Sequence, residues 1–202
     1  SQGLLLMIPN MYKIAGEQLP CVFDVSARTV ATQSLNIFGD HSDVYACRQT
    51  GFAMLCETNP QEVMDLSPVA HLATIEGKVP FINFFDGFRT SHEIQKIEKW
   101  DYADLKEMCN MDAVKAFREH ALNPEHPAMR GSHENGDVFF QHREACNTAY
   151  NELPAIVEKY MGKINEKLGT DYDLFNYYGA ADADRVIVAM GSICDVAEEV
   201  ID

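Results

Sequence analysis

The sequence predicts an α/β fold in which a mostly parallel sheet is flanked by helices. The strongest evidence is the run Val79–Phe85, seven mostly apolar and aromatic residues that follow a helix stop at Gly77 and Lys78. Such a run is too short for a free-standing helix and is typical of a strand buried on both faces of a parallel sheet. Two further short apolar runs, Cys21–Val25 and Arg185–Met190, are separated from it by segments of helical periodicity. That alternation indicates an α/β architecture.

The first fifty residues carry weaker signals than the central strand. Gly3–Gly16 is predicted to be a helix that Pro9 interrupts or kinks. Thr32–Phe38 fits either a helix or irregular structure, and Val44–Cys47 is a candidate strand.

The helix that begins after Asn59 is well signalled. Asn59 can act as the N-cap, Pro60 occupies the first helical position, and Glu62 lies three residues after the cap. His71 lies beside the apolar stripe of this helix, and we interpret it as an ordinary helix residue rather than a ligand.

Further helices are predicted in the second half of the chain. Asp101–Cys109 and Asp112–Leu122 have the pattern of surface helices, and Leu153–Leu168 has a long amphipathic pattern that ends at Gly169. After Arg185–Met190 the chain turns through a glycine into a last helix. That unit could cradle a phosphate, but three carboxylates near the helix start make ordinary packing the alternative.

Polar side chains follow two of the predicted strands. Ser26–Thr29 come directly after Cys21–Val25, and Asp86–Glu93 come directly after Val79–Phe85. In open α/β sheets ligands bind beyond the carboxyl ends of the strands, so the functional positions are expected there. The alternative for Asp86–Glu93 is a plain connection into a helix capped by Ser91.

The composition argues against two classes of partner. The chain has 31 acidic and 16 basic residues and a net charge of −15. Such a chain repels phosphate backbones and anionic lipid, so nucleic acid and membrane surfaces are not expected as partners. A small anionic substrate would need a local basic group.

The cysteines and histidines do not form a recognisable metal motif. No two of the six cysteines lie within three residues of each other, so there is no CxxC pair for zinc, an iron–sulfur cluster or a dithiol. We interpret them as small, mostly buried thiols in a reducing compartment. Five of the histidines match no ligand spacing, and no metal site is predicted: His92, His120, His126, His133 and His142.

The chain is expected to be a piece of a longer protein. The apolar run Leu4–Ile8 follows only three residues after the start, and a segment that is apolar on all sides must be surrounded by protein. At the other end, Ile201 and Asp202 stop inside a predicted helix.

Long strings of this sequence resemble the pyruvate:ferredoxin (flavodoxin) oxidoreductase family of anaerobic metabolism. They are Gly3–Gly16, Ile37–His41, Arg48–Leu55, Val79–Glu98 and Asn123–Pro127. The likeness runs through essentially all 202 residues in one register.

The resemblance implies a fold of the thiamine-diphosphate-binding, pyrimidine-domain type that is incomplete at both ends. Residues 1–171 would be the C-terminal part of the family's N-terminal domain. Residues 172–202 would be the beginning of a second α/β domain of the transketolase C-terminal type.

The resemblance also implies an activity for the complete enzyme, with the fragment inactive alone. Pyruvate and coenzyme A would give acetyl-CoA and carbon dioxide, and electrons would pass through 4Fe–4S clusters to ferredoxin or flavodoxin. Thiamine diphosphate with Mg²⁺ would be the cofactor. The complete enzyme would be a homodimer of the cytoplasm, or of a hydrogenosome-like organelle in a eukaryote.

Arg28 matches the family's arginine that binds the substrate carboxylate. The residue-level argument agrees, because a guanidinium at a strand end in an acidic chain suits a bidentate grip on a small carboxylate. It would hold the keto carbon near the cofactor. The alternative is an arginine in a surface salt bridge.

Ile37 matches a bulky apolar position that the resemblance places near the cofactor. Gly39, Asp40 and His41 follow it, with a structural turn and an interdomain contact as the alternative. Another set is expected to orient a loop at a domain interface rather than do chemistry: Arg89, Ser91, His92 and Glu93.

The resemblance places the rest of the active site outside this chain. The glutamate that activates the cofactor and a threonine that helps to bind pyruvate would lie upstream of Ser1. The diphosphate and magnesium site, the cluster cysteines and the coenzyme A contacts would lie downstream of Asp202. None of the six cysteines would therefore be a cluster ligand.

Two other functions stay open on the sequence alone. One is a related 2-oxoacid oxidoreductase with another substrate or acceptor, such as a fusion that passes electrons to NADP. The other is a non-catalytic subunit that packs against partner chains through Leu4–Ile8.

Overall fold

The computed structural model describes all 202 residues. It contains three strands and nine α-helices. The strands are β1 (Val22–Ala27), β2 (Ala53–Glu57) and β3 (Phe81–Asp86). The helices are α1 (Gln2–Leu6), α2 (Ile8–Gly16), α3 (Ser42–Cys47), α4 (Pro60–Gly77), α5 (Tyr102–Met108), α6 (Met111–Glu119), α7 (Gly136–Ala145), α8 (Asn147–Leu168) and α9 (Ile193–Ile201).

The three strands form one parallel sheet in the order β1-β3-β2. Phe81 of the central strand pairs with Val22 on one side and with Ala53 on the other. The first four residues of β3 are buried. The predicted α/β class and the buried central strand are therefore confirmed.

Each face of the sheet is covered by its own helices. On one face α4 and α8 pack with Val79 and Phe81 into a core of twelve buried residues. On the other face Ile82 and Phe84 join a core of nine buried residues that includes Met11 of α2. Since side chains alternate along a strand, β3 supplies both cores.

Helix α4 forms where its sequence signals predict it. The Asn59 side-chain oxygen accepts hydrogen bonds from the N–H groups of Gln61 and Glu62, at 3.1 and 3.0 Å, and Pro60 begins the helix. The helix ends where Lys78 adopts a left-handed conformation with φ of 57°. These capping interactions satisfy backbone groups that would otherwise lack partners.

The amino-terminal segment Gly3–Gly16 was predicted to be a helix that Pro9 interrupts or kinks, and it is interrupted, but two residues before Pro9. It forms two helices, and the break falls at Met7. Pro9 lies in the first turn of α2, where its missing N–H needs no partner. Thr32–Phe38 is irregular.

The prediction of a strand at Val44–Cys47 is wrong, because these residues belong to α3. Val44 and Cys47 lie three residues apart and are both fully buried, which is helical spacing. A four-residue apolar run cannot distinguish a strand from a helix turn. The neighbouring strand β2 was not predicted.

The prediction of a buried strand at Arg185–Met190 is also wrong for this chain. No strand forms there, and the exposed fractions of Val186, Ile187 and Val188 are 64%, 86% and 90%. A strand needs a neighbour to satisfy its backbone hydrogen bonds, and this run pairs with no strand of the chain. The helix expected after it forms as α9.

The second half is helical in the predicted places. Helices α5 and α6 have no buried residues, as expected of surface helices. Helix α8 begins at Asn147, earlier than predicted, so that Pro154 lies inside it. Helix α7 was not predicted. No helix combines the length and the apolar character that crossing a bilayer requires.

The cysteines are free, and only Cys47 is buried. The expectation of mostly buried thiols is therefore wrong, because several lie at the ends of elements, where one side remains open. Cys109 and Cys146, for example, flank helix ends.

Candidate functional site

The candidate site lies where β1 and β3 end side by side. Ala27 pairs with Asp86 at the last position of the two strands, and the N–H of Gly87 donates to the carbonyl of Ala27 at 2.8 Å. A Cβ atom on Gly87 would lie 2.5 Å from that carbonyl and 2.6 Å from Cγ of Arg28. Glycine is therefore required for the two strand ends to pack so closely.

Arg28 is half-buried, directly after β1. Its backbone N–H donates to Oδ2 of Asp43 at 3.0 Å, and Asp43 is fully buried at the start of α3. Its Nε atom is buried and has no hydrogen-bond partner. No ion pair of the chain includes Arg28. The surface salt bridge that was the alternative is absent, and a buried donor without a partner suits a ligand oxygen.

Asp86 lies at the centre of a polar network beside Arg28. Nε2 of His41 lies 2.6 Å from Oδ1 of Asp86. Oδ2 accepts hydrogen bonds from the N–H of Ser192 at 2.9 Å and from its Oγ at 2.6 Å. Burial acts to raise the pKa of Asp86, but the hydrogen bonds from Ser192 and His41 outweigh it and lower the pKa below its ordinary value. Asp86 is therefore ionised at neutral pH.

The loop between β1 and α3 carries the other predicted positions. A Cβ atom on Gly39 would lie 3.0 Å from the carbonyl of Gly87, so Gly39 packs closely against the loop after β3. Oδ1 of Asp40 accepts from the N–H of Ser42 at 2.6 Å, and this bonding lowers the pKa of Asp40. Asp40 thus stabilises a turn. Ile37 is 43% exposed and leaves an apolar surface on the same loop.

A groove of about 530 Å³ lies between this loop and the loop after β3. It is lined by Phe38, Gly39, Phe88, Arg89, His92 and Glu93. The rings of Phe38 and Phe88 meet edge to face with centroids 4.7 Å apart. The structure therefore brings the Ile37–His41 and Asp86–Glu93 segments together.

The helix capped by Ser91, which was the alternative for this segment, does not form. Thr90–His92 make only a single 3₁₀ turn. Oγ of Ser91 accepts from the N–H of Phe88 at 2.8 Å, and Phe88 has a positive φ of 66°. The side chain therefore holds a tight loop rather than a helix start.

Glu57 is a buried acid that sequence reasoning missed. It ends β2, is fully buried, and neither carboxyl oxygen has a hydrogen-bond partner. Burial raises its pKa to about 9, so the carboxyl is neutral at pH 7. Asn83 lies beside it, and Oδ1 of Asn83 is also buried without a partner. The available signal was an acid at the end of an apolar run, but the strand itself was not predicted.

The side chains of the site do not form a metal centre by themselves. No group of three or more His, Cys, Asp or Glu side chains lies close enough to hold a metal ion. The site offers a half-buried guanidinium, Arg28, whose buried Nε has no hydrogen-bond partner, and beside it an ionised carboxylate, Asp86. This arrangement suits binding and orienting a small anion.

The chain is similar to known proteins along its whole length. The family profile described as pyruvate flavodoxin/ferredoxin oxidoreductase, thiamine diphosphate-binding, matches residues 1–162. A pyruvate-flavodoxin oxidoreductase of Klebsiella pneumoniae is 64% identical over 202 residues, which are all of this chain and 17% of the relative. A pyruvate:ferredoxin oxidoreductase of Moorella thermoacetica is 60% identical over 201 residues, again 17% of the relative.

A third relative carries a different name. A pyruvate dehydrogenase [NADP(+)] of Cryptosporidium parvum is 55% identical over 202 residues, which are 10% of its length. The chain therefore spans a small part of the length of the curated relatives that it matches.

Proposed function

Because this chain belongs to the family of the thiamine-diphosphate-binding domain of pyruvate flavodoxin/ferredoxin oxidoreductases, we propose that it forms one wall of the active site of a longer enzyme. That enzyme converts pyruvate and coenzyme A to acetyl-CoA and carbon dioxide. Ferredoxin or flavodoxin accepts the electrons through 4Fe–4S clusters held by other parts of the enzyme. The observation that carries the proposal is the buried, unpaired Nε of Arg28 at the carboxyl edge of the sheet.

Arg28 binds and orients the substrate carboxylate in this proposal. A guanidinium presents several N–H donors in one plane and grips both oxygens of a carboxylate. Asp43 fixes the backbone of Arg28, and Gly87 packs against its stem, so the side chain is held before the ligand arrives. Such preorganisation keeps the reacting carbon in a defined position.

The residues present fit one side of a thiamine diphosphate site. Ile37 and Phe38 are 43% and 56% exposed and offer apolar contact on the loop next to Arg28. When bound, thiamine diphosphate supplies the electron sink for decarboxylation. The diphosphate and its Mg²⁺ would be held elsewhere in the enzyme, since these residues form no metal-binding group.

The remaining features of the proposal concern the whole enzyme. Residues 1–171 belong to its N-terminal domain, and residues 172–202 begin the next one. We place the enzyme in the cytoplasm as a homodimer, and the six free thiols suit a reducing compartment. The names of the relatives differ in their electron acceptors, so the proposal rests on the pyruvate chemistry that those names share. The comparisons favour the enzyme over the interaction subunit considered from the sequence.

Replacing Arg28 in the full-length enzyme tests the proposal. Arg28→Ala should raise the KM for pyruvate and lower kcat/KM by about 2–4 kcal/mol in transition-state terms, because the carboxylate loses its charged partner. Arg28→Lys should recover part of the loss, since the charge remains but the bidentate geometry does not. The measurement is pyruvate-dependent reduction of an artificial acceptor dye.

Arg118→Ala is the matched control, because Arg118 is exposed on α6 and takes part in no ion pair. It should leave pyruvate kinetics unchanged. Unaltered pyruvate kinetics in Arg28→Ala would remove Arg28 from the site and overturn the proposal.

A further inference from the structure

We propose that Asp86 is a positioning residue for Arg28 and that Ser192 couples it to the packing of the downstream segment 172–202. The inference rests on the proposed role of Arg28 in binding the substrate carboxylate. It assigns no chemistry to Asp86 itself, which acts through its neighbours.

The link from Asp86 to Arg28 runs through adjacent backbone. Asp86 pairs with Ala27, the residue before Arg28. The next residue, Gly87, donates its N–H to Ala27 and packs against the Arg28 stem. A shift of the Asp86 backbone would therefore move the surface on which the Arg28 side chain rests.

Asp86 also joins two segments that are distant in sequence. Its Oδ1 contacts His41, on the loop that begins at Arg28, and its Oδ2 accepts two hydrogen bonds from Ser192, 106 residues away. Both oxygens are used, so loss of either partner leaves a partly buried carboxylate with fewer hydrogen bonds.

The downstream segment has few other attachments at this edge. Helix α9 has no buried residue, and its further polar contacts here join Asn59 to Asp195 at 3.3 Å and Cys194 to Thr58. Gly191 has φ of 81°, and a Cβ atom there would lie 2.9 Å from Oδ2 of Asp86. The Asp86 carboxylate and the Gly191–Ser192 turn therefore fit together closely, and the position of one constrains the other.

Three variants of the full-length enzyme test the coupling. Asp86→Asn cannot accept hydrogen bonds on both sides, and we expect the KM for pyruvate to rise about tenfold with a smaller change in kcat. Gly191→Ala should raise the KM by a few-fold, because the methyl group pushes the turn away from Asp86 although no polar group is removed. Ser192→Ala should have the smallest effect, because its backbone N–H remains.

Two controls and one double variant complete the experiment. Asp182→Asn and Ser132→Ala change exposed residues that make no side-chain hydrogen bond, and they should leave the KM unchanged. In an Arg28→Ala background, Asp86→Asn should add little to the KM, because Asp86 acts through Arg28. A full additional effect there would overturn the inference.

The outcomes separate the two proposals. If Arg28→Ala raises the KM while Asp86→Asn, Gly191→Ala and Ser192→Ala do not, only the positioning role fails. If Asp86→Asn does not fold, the Gly191→Ala and Ser192→Ala variants decide, and unchanged pyruvate KM in both rejects the coupling.

Discussion

Two apolar runs of this chain predict the same structure from sequence but differ in the fold. Phe81–Asp86 is the centre of the sheet, and Ile82 is fully buried. Arg185–Met190 has a similar apolar character, yet it forms no strand, and Ile187 is 86% exposed. The runs differ in their neighbours, because β3 has a strand on each side and Arg185–Met190 has none.

The difference shows that β-propensity describes a fit to neighbours rather than a property of the run itself. The backbone of β3 is hydrogen-bonded to β1 and β2. Its side chains pack into a helix-covered core on each face of the sheet. Arg185–Met190 would need similar partners from residues outside this chain before it could form a strand.

The same substitution at two isoleucines should give the largest contrast. In the 202-residue polypeptide, Ile82→Ala should cost about 2–5 kcal/mol of unfolding free energy, because it leaves a cavity in a packed core. Ile187→Ala should change it by less than about 0.5 kcal/mol, as expected for an exposed site. Urea unfolding measures both.

Repeating Ile187→Ala in the full-length enzyme sharpens the contrast. If downstream strands pair with Arg185–Met190, the variant should lose hydrogen-exchange protection there. Equal destabilisation by the two substitutions in the 202-residue polypeptide would mean that the second run is already buried, and the contrast between the runs would disappear.

Glu57→Gln probes the buried end of β2, next to the central strand. The pKa of Glu57 is about 9 in the fold and 4.5 in the reference state, so the unfolded chain releases this proton first as pH rises. The stability that the neutral carboxyl contributes is present below pH 4.5 and is lost progressively up to pH 9. Glu57→Gln removes this pH dependence, so its stability relative to the parent should rise by about 3–4 kcal/mol between about pH 5 and pH 8.

The measurement for Glu57→Gln is urea unfolding at about pH 5 and pH 8, on either side of neutrality. The stability difference between variant and parent should grow with pH. A constant difference would show that Glu57 is ionised or hydrated in the fold. Glu166→Gln, on an exposed position of α8, serves as the control.

Asn59 connects the packed region to α9, and its substitution should have a smaller effect than Ile82→Ala. Asn59→Ala removes the cap of α4 and should cost about 1 kcal/mol of unfolding free energy. Asn59→Asp keeps the capping oxygen but places a negative charge beside Asp195, so it should retain α4 and loosen α9. Hydrogen exchange of residues 60–77 and 193–201 separates the effects. Unchanged exchange of α9 in both variants would contradict the contact.

The sequence predicted correctly those helices and strands that depend on residues close together in the chain. Asn59, Pro60 and Glu62 mark the start of α4 through bonds made within a few residues. The central strand was predicted because its burial on both faces leaves an uninterrupted apolar run. Val44–Cys47 was assigned wrongly, because a run of four residues carries no periodicity.

The candidate site was predictable in its position but not in its contacts. The polar residues after two strands indicated Arg28 and Asp86–Glu93, since parallel strands end at one edge. The hydrogen bonds between Asp86 and Ser192 join residues 106 positions apart, and no local pattern reports such a contact. That Arg28 binds the carboxylate of the substrate stays a prediction.

The strand order has a consequence for folding during synthesis on the ribosome. Because β3 is the last of these three strands in sequence but the middle one in space, β1 and β2 lack the strand that joins them until residue 86 has been synthesised and has emerged. During that interval the edges of β1 and β2 that β3 later covers are open to wrong pairing, and a chaperone would matter most then.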